Sequence, residues 1–240
     1  MTFQWIKQPD NSARALLFFF NGWGMTSAAV AHLLPPQGMD ILIISDYRSL
    51  EEAFPSATKQ YESYYLAAWS IGVWAAELLA QQHKLPHITE SIALAGSPHI
   101  RHDLYGIPIA IFDQTLEAVS EENRNRFNRR MCGGKKLKAL FEEFSSRPTD
   151  DIREELQCVQ QIEKTKYPIY TPTALPWTKA FVAQRDRIVP YQNLLLFWQS
   201  NNTPVYLLPE ADHYLFSTVD SWETLFYSPF EDEKTNCKIL

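Results

Sequence analysis

Residues 64–76 read Tyr-Tyr-Leu-Ala-Ala-Trp-Ser-Ile-Gly-Val-Trp-Ala-Ala. An apolar, aromatic run climbs to a single serine, passes Ile71 and Gly72, and becomes an alanine-rich helical pattern. That order predicts a buried strand, a sharp turn and a helix, with the Ser70 hydroxyl at the apex. A turn this tight excludes bulky neighbours, and Ala68 and Gly72 are small where smallness is needed. A serine that merely caps a helix after a strand has the same local appearance. The rest of the chain decides between the two.

The flanking sequence repeats the strand–helix alternation. Thr2 to Lys7 alternates as an opening edge strand, and Pro9 to Ser12 is a turn. Ala15–Phe20 is continuously apolar, as expected of a strand buried on both faces of a parallel sheet. It runs into the glycine-rich loop Asn21-Gly22-Trp23-Gly24-Met25, after which Thr26-Ser27 is expected to cap a helix ending before Pro35-Pro36. Asp40–Ser45 is a second such strand, the helix after Ser70 runs to about His83, and Ile88 to Ala95 adds another strand. Ile107 to Phe112 reads as a short strand ending at Asp113. Residues 114–175 change character: amphipathic helical segments rich in charge, with Gly133-Gly134 and Pro148 as interruptions, read as a helical cap inserted over the site. Strand character returns at Lys179 to Gln184 and at Pro204 to Leu208, with helices at about Tyr191 to Ser200 and Ser217 to Tyr227. The tail from Glu231 is polar and expected to fray. The expectation is one α/β domain over residues 1–240, built on a mostly parallel sheet with right-handed crossovers. Ligands of such sheets sit at the carboxyl ends of the strands, where Trp23 and Ser70 both fall.

Composition narrows the functional classes. At 240 residues with a net charge of −6, the chain does not have the basic balance of a general nucleic-acid binder, although a local basic patch remains compatible with it. Its three cysteines, Cys132, Cys158 and Cys237, are far apart and form no metal-binding spacing, so free thiols in a reducing cytosol are expected. The first residues lack the basic and apolar regions of a signal peptide, and Leu16 to Phe20 is far too short to span a bilayer. A cytoplasmic protein with no cofactor, no metal and no membrane partner is the expectation.

A serine nucleophile on this scaffold needs an acid and a histidine later in the chain, each in a loop after a late strand. Val182–Pro190 supplies a strand running into Asp186, and Val205–His213 places His213 after the last strand. Ser, Asp, His in that order is the triad arrangement of the α/β-hydrolases. His213 would take the Ser70 proton and return it to the leaving alcohol, while Asp186 would hold the imidazole and stabilise its charged form. Two oxyanion donors are needed: the backbone N–H of Ile71, and that of Trp23, whose flanking glycines permit the required turn. Asp113 is an alternative acid. Asp212 adjoins His213, a separation at which side chains rarely face one another. His99 and His102 read as surface residues of a polar loop; His32, His83 and His87 fall near helix ends, and Asp46 reads as a turn cap.

With these residues in place, the chain resembles the BioG type of pimeloyl-acyl-carrier-protein methyl ester esterase and, more distantly, the BioH type. The match rests on Phe20-Asn21-Gly22-Trp23-Gly24-Met25, Asp46-Tyr47-Arg48, Ala68-Trp69-Ser70-Ile71-Gly72, Phe127-Asn128-Arg129-Arg130-Met131-Cys132, Asp186 and His213. The resemblance implies demethylation of pimeloyl-carrier protein for biotin synthesis, with Ser70, Asp186 and His213 as triad and Trp23 as oxyanion and substrate contact. It also implies an acyl channel lined by Phe127, Arg130 and Met131. Two departures stand out from the broader hydrolase pattern: Ala68 where glycine is commoner, and Asn21 where histidine often precedes the glycine.

The cap holds Arg124, Arg126, Arg129, Arg130, Lys135, Lys136 and Lys138, with Glu121 and Glu122 as nearby acids. Arginines clustered on an acidic protein can dock an acidic acyl-carrier protein; a solvated helix face would look the same. Two other functions fit the sequence, a general short-chain carboxylesterase or thioesterase and a hydrolase-fold binding module without catalysis.

Overall fold

The computed structural model describes residues 1–8, 12–52, 54–55, 60–134, 146–165 and 173–227. Seven strands form one sheet: β1 (Thr2–Ile6), β2 (Ala15–Phe20), β3 (Met39–Ser45), β4 (Ser63–Trp69), β5 (Glu90–Leu94), β6 (Trp177–Ala183) and β7 (Val205–Leu208). Their spatial order is β1-β3-β2-β4-β5-β6-β7. β1 pairs antiparallel with β3 at one edge, and every other pairing is parallel. The apolar runs explain the placement. Leu17, Phe19 and Phe20 on β2, Ile41 and Ile44 on β3 and Leu66 to Trp69 on β4 are fully buried, as strands covered on both faces must be.

Helices flank this sheet. α1 (Ile71–Gln81) follows the serine and buries Ile71 through Leu79. Its glutamate, Glu77, is also buried, accepting from the Leu175 N–H and the Trp177 indole. Between β5 and its neighbour β6 lie α2 (Ile109–Glu117), α3 (Glu121–Met131) and α4 (Thr149–Thr165). α5 (Tyr191–Ser200) and α6 (Trp222–Tyr227) complete the described helices. None is long and apolar enough to cross a membrane.

Three expected elements differ. The segment read as a strand at Ile107 to Phe112 is the start of α2. Pro108 has no N–H to give a strand ladder; its carbonyl accepts from the N–H groups of Ile111 and Phe112, and the Asp103 carboxylate takes the Ile109 N–H. Helical material thus begins at Ile109, ahead of the expected 114 boundary. The helix capped by Thr26 is only a 3-10 turn, Ser27–Val30, and the closing helix is split into a 3-10 turn, Leu215–Thr218, and α6. One contact accounts for both: the Leu34 N–H donates to Asp220 and the Leu34 carbonyl accepts from Trp222, so two chain segments leave their helices to pair with each other. The tail from Glu231, Cys237, Lys135, Lys136, Lys138 and residues 9–11 of the first turn lie outside the described residues.

Candidate active site

Ser70 sits between β4 and α1 at φ 57, ψ −123, a region that non-glycine residues rarely occupy. Neighbouring residues leave room for that bend. A Cβ on Gly72 would run into the Phe20 carbonyl, and one on Gly96 would lie 2.9 Å from the Ser70 Cα. Ala68 is fully buried without disturbing the turn.

The Ser70 Oγ lies 2.9 Å from His213 Nε2, and His213 Nδ1 lies 2.6 Å from Asp186 Oδ2. Both side chains of the His–Asp pair are withdrawn from solvent, at 2% and 0% exposure. A carboxylate can only accept, so Nδ1 carries the proton and Nε2 is left to accept from the serine hydroxyl. The other Asp186 oxygen accepts from the N–H groups of Ile188, at 2.7 Å, and Val189, at 2.9 Å, which fixes the carboxylate plane. Trp69 supports the histidine from below: its indole N–H donates to the His213 carbonyl at 3.0 Å and its ring lies 5.7 Å from the imidazole. No local sequence pattern marks this role of Trp69, since a strand tryptophan is ordinarily core.

Trp23, Ser70 and Ile71 line one pocket together with Ile111, Phe127 and Arg130. Its volume is about 40 Å³, room for a few non-hydrogen atoms. Asn21 braces the adjoining loop: its Oδ1 accepts from the Gly22 N–H at 2.9 Å and its amide donates to the Thr26 carbonyl at 2.8 Å. The departure from histidine at this position therefore has a local use. Beyond Phe127, whose ring meets that of Trp23 edge-on at 4.9 Å, lies a groove of about 520 Å³ between α2 and α3. Arg124, Arg126, Arg129 and Arg130 all line it.

Other expected residues fall elsewhere. Met131 is buried at 2% exposure and lines neither cavity; its carbonyl accepts from the Tyr214 N–H. Its side chain belongs to the hydrophobic core. Arg124 is half-buried, donates to the Arg147 carbonyl, and burial lowers its pKa. Arg126 pairs with Glu122, whereas Arg129 and Arg130 are exposed. Asp113, the alternative acid, is held bidentately by Arg101 at 2.9 and 2.7 Å, and this partner draws its carboxyl down to about 2. It is a mid-helix anchor, since the strand it was expected to end is α2. Asp46 does more than cap a turn: it binds Arg48 through both oxygens and pairs with Arg147 at 3.1 Å. Arg187 lines the Ser70 pocket, a placement that adjacency to Asp186 alone did not signal. Glu155 was also missed, although a carboxylate on the apolar stripe Ile152, Leu156 and Val159 of α4 was a readable anomaly. Among the described residues no cluster of three or more His, Cys, Asp or Glu side chains could hold a metal ion.

A mostly parallel sheet of this order, with a strained serine between β4 and α1 hydrogen-bonded to a late histidine, places the chain in the α/β-hydrolase fold. Within it, residues 1–225 match the family described as pimeloyl-ACP methyl esterase BioG, and the chain belongs to that family. The chain is 33% identical to the crystal structure of BioG from Haemophilus influenzae, with a TM-score of 0.82 over 94% of this chain and 99% of that one. A malonyl-[acyl-carrier protein] O-methyltransferase of Bacteroides fragilis is 40% identical over 185 residues, which are 76% of this chain and 36% of that protein. The chain thus spans about a third of that relative's length. An esterase from Exiguobacterium antarcticum shares the fold at 10% identity, with a TM-score of 0.64 over 94% of this chain and 91% of its own.

Proposed function

We propose that the chain is a serine esterase that removes the methyl group of pimeloyl-acyl-carrier-protein methyl ester, releasing methanol and the free acid needed for biotin synthesis. The observation that carries this reading is the hydrogen-bonded sequence Ser70–His213–Asp186 at a strained turn. As His213 Nε2 takes the hydroxyl proton, the Ser70 Oγ attacks the ester carbonyl. The resulting oxyanion is met by the backbone N–H groups of Trp23 and Ile71. His213 then protonates the departing methoxide, and a water activated by the same imidazole hydrolyses the acyl-serine. Asp186 orients the ring throughout and stabilises its charged form.

The narrow pocket at Ser70 suits an ester at the end of an unbranched chain, and the groove beyond it suits the rest of that chain. The arginines along the groove suit an acidic carrier protein. Support for a carrier-linked methyl ester also comes from the family's description and from the Bacteroides fragilis protein, whose name describes placing a methyl group on a carrier-bound acid. That name belongs to a chain mostly outside the matched region, and the chemistry assigned here is the reverse of ester formation.

Charge reversal tests the partner. With Arg126→Glu and Arg129→Glu together, kcat/KM on the carrier-linked ester should fall at least about tenfold more than on a free methyl ester. Equal losses on both substrates would leave a general carboxylesterase as the better reading.

A further inference from the structure

The oxyanion loop Gly22-Trp23-Gly24 is held from outside the sheet, by α4. The Trp23 indole N–H donates to the Ile152 carbonyl at 2.8 Å. One helical step on, Glu155 Oε2 accepts from the Gly24 N–H at 3.2 Å while its Oε1 accepts from the Tyr47 N–H at 3.0 Å. Gly24 has φ +69, and a Cβ there would lie 3.2 Å from the Ile152 Cγ2, so loop and helix are in close contact. Glu155 is fully buried and is reached by Arg147 Nη1 at 2.6 Å; the same guanidinium pairs with Asp46. Burying a carboxylate is costly unless it is paired and hydrogen-bonded. Here an arginine and two backbone donors satisfy it.

We propose that Glu155 is a positioning residue for the oxyanion hole, holding the loop so that the Trp23 N–H faces the reacting carbonyl oxygen. The assignment rests on the esterase reading above. Glu155 lines neither the Ser70 pocket nor the groove. It acts on the peptide following Trp23, while Ile152 ties down the Trp23 side chain, so both freedoms of that residue are anchored to α4. Arg124 lines the groove and donates to the Arg147 carbonyl. The anchor of the loop is therefore continuous with the wall of the groove.

The test compares wild type, Glu155→Gln and Glu155→Ala on a short p-nitrophenyl ester, together with affinity for a trifluoromethyl ketone whose serine adduct needs the oxyanion donors. A displaced donor predicts kcat lower by roughly 10- to 100-fold with KM nearly unchanged, and ketone affinity weaker by a similar factor. Glu155→Gln should lose about tenfold, because its amide cannot accept from both N–H groups and has no charge for Arg147. A structural role alone would lower the melting temperature and leave kcat and ketone affinity of the folded protein intact. Glu155→Gln with wild-type kcat and ketone affinity overturns the assignment, whether or not Glu155→Ala folds. A wild type that neither hydrolyses the ester nor takes the ketone defeats the esterase reading and this assignment with it. An active wild type with unaffected variants defeats this assignment alone.

Discussion

Ser70 keeps its positive φ because the chain around it gives way: Gly72 lets the Phe20 carbonyl approach, and Gly96, two residues past β5, lets the chain there pass close to the serine backbone. Gly96→Ala should therefore be costly in two ways. Its methyl group would press on the Ser70 Cα from 2.9 Å, costing about 1–3 kcal/mol of stability by overpacking. It should also lower kcat by displacing the Oγ from His213. Thermal melts and ester turnover of the variant check this, and an unchanged melting temperature with full turnover would contradict it. His99 makes a different residue-scale prediction. Packed against Tyr105 and Phe197, it is desolvated and beside His102, which holds its pKa down at about 4. The unfolded chain would take up this proton near pH 6.5, before the folded one. Stability is thus lost as pH falls from about 6.5 to about 4, by up to roughly 3 kcal/mol, and no further below that. In denaturant titrations, His99→Phe should flatten the wild-type decline across this window. Parallel curves would refute the assignment.

Among the elements, the strands were the most legible, because a strand buried on both faces is an unbroken apolar run and such runs occur at Ala15–Phe20 and at residues 41–44. α2 was misread for a physical reason. Ile107, Ile109 and Ile111 alternate as a strand would, and the helical outcome depends on Pro108 and on the Asp103 carboxylate, six residues upstream, that takes the Ile109 N–H. The 3-10 turn after Thr26 likewise depends on Leu34 meeting Asp220 and Trp222, partners that no local window contains. α2 and α3 together build the groove, and Phe127 with Trp23 separates it from the Ser70 pocket. Phe127→Ala should merge the two spaces. The ratio of kcat/KM for a branched-acyl ester to that for a linear one should then rise by roughly tenfold. A ratio unchanged from wild type would show that Phe127 does not set the width of the entrance.

Across the whole molecule, the meeting of Ser70, Asp186 and His213 was readable because each follows a strand in a fixed order along the chain, so spacing along the sequence implies convergence at the carboxyl ends of the strands. Ser70, Asp186 and His213 come together as that order predicts. Their supports were harder to read: Trp69 meets His213, and Glu155 meets the Gly24 loop, across more than 100 positions of chain, so the carboxylate on the apolar stripe of α4 stood out as an anomaly while its partners did not. Met131 shows the converse, a residue placed by resemblance at the acyl channel that the packing of α3 turns into the core. The proposed cleavage of a carrier-linked methyl ester at Ser70 is tested most directly by hydrolysis of pimeloyl-carrier-protein methyl ester by wild type and by Ser70→Ala. Free-acid pimeloyl-carrier protein should be released by the wild type, with turnover in the variant lower by about 10³-fold or more. Comparable release by both proteins, or turnover of small free esters with the carrier-linked ester left intact, would contradict it.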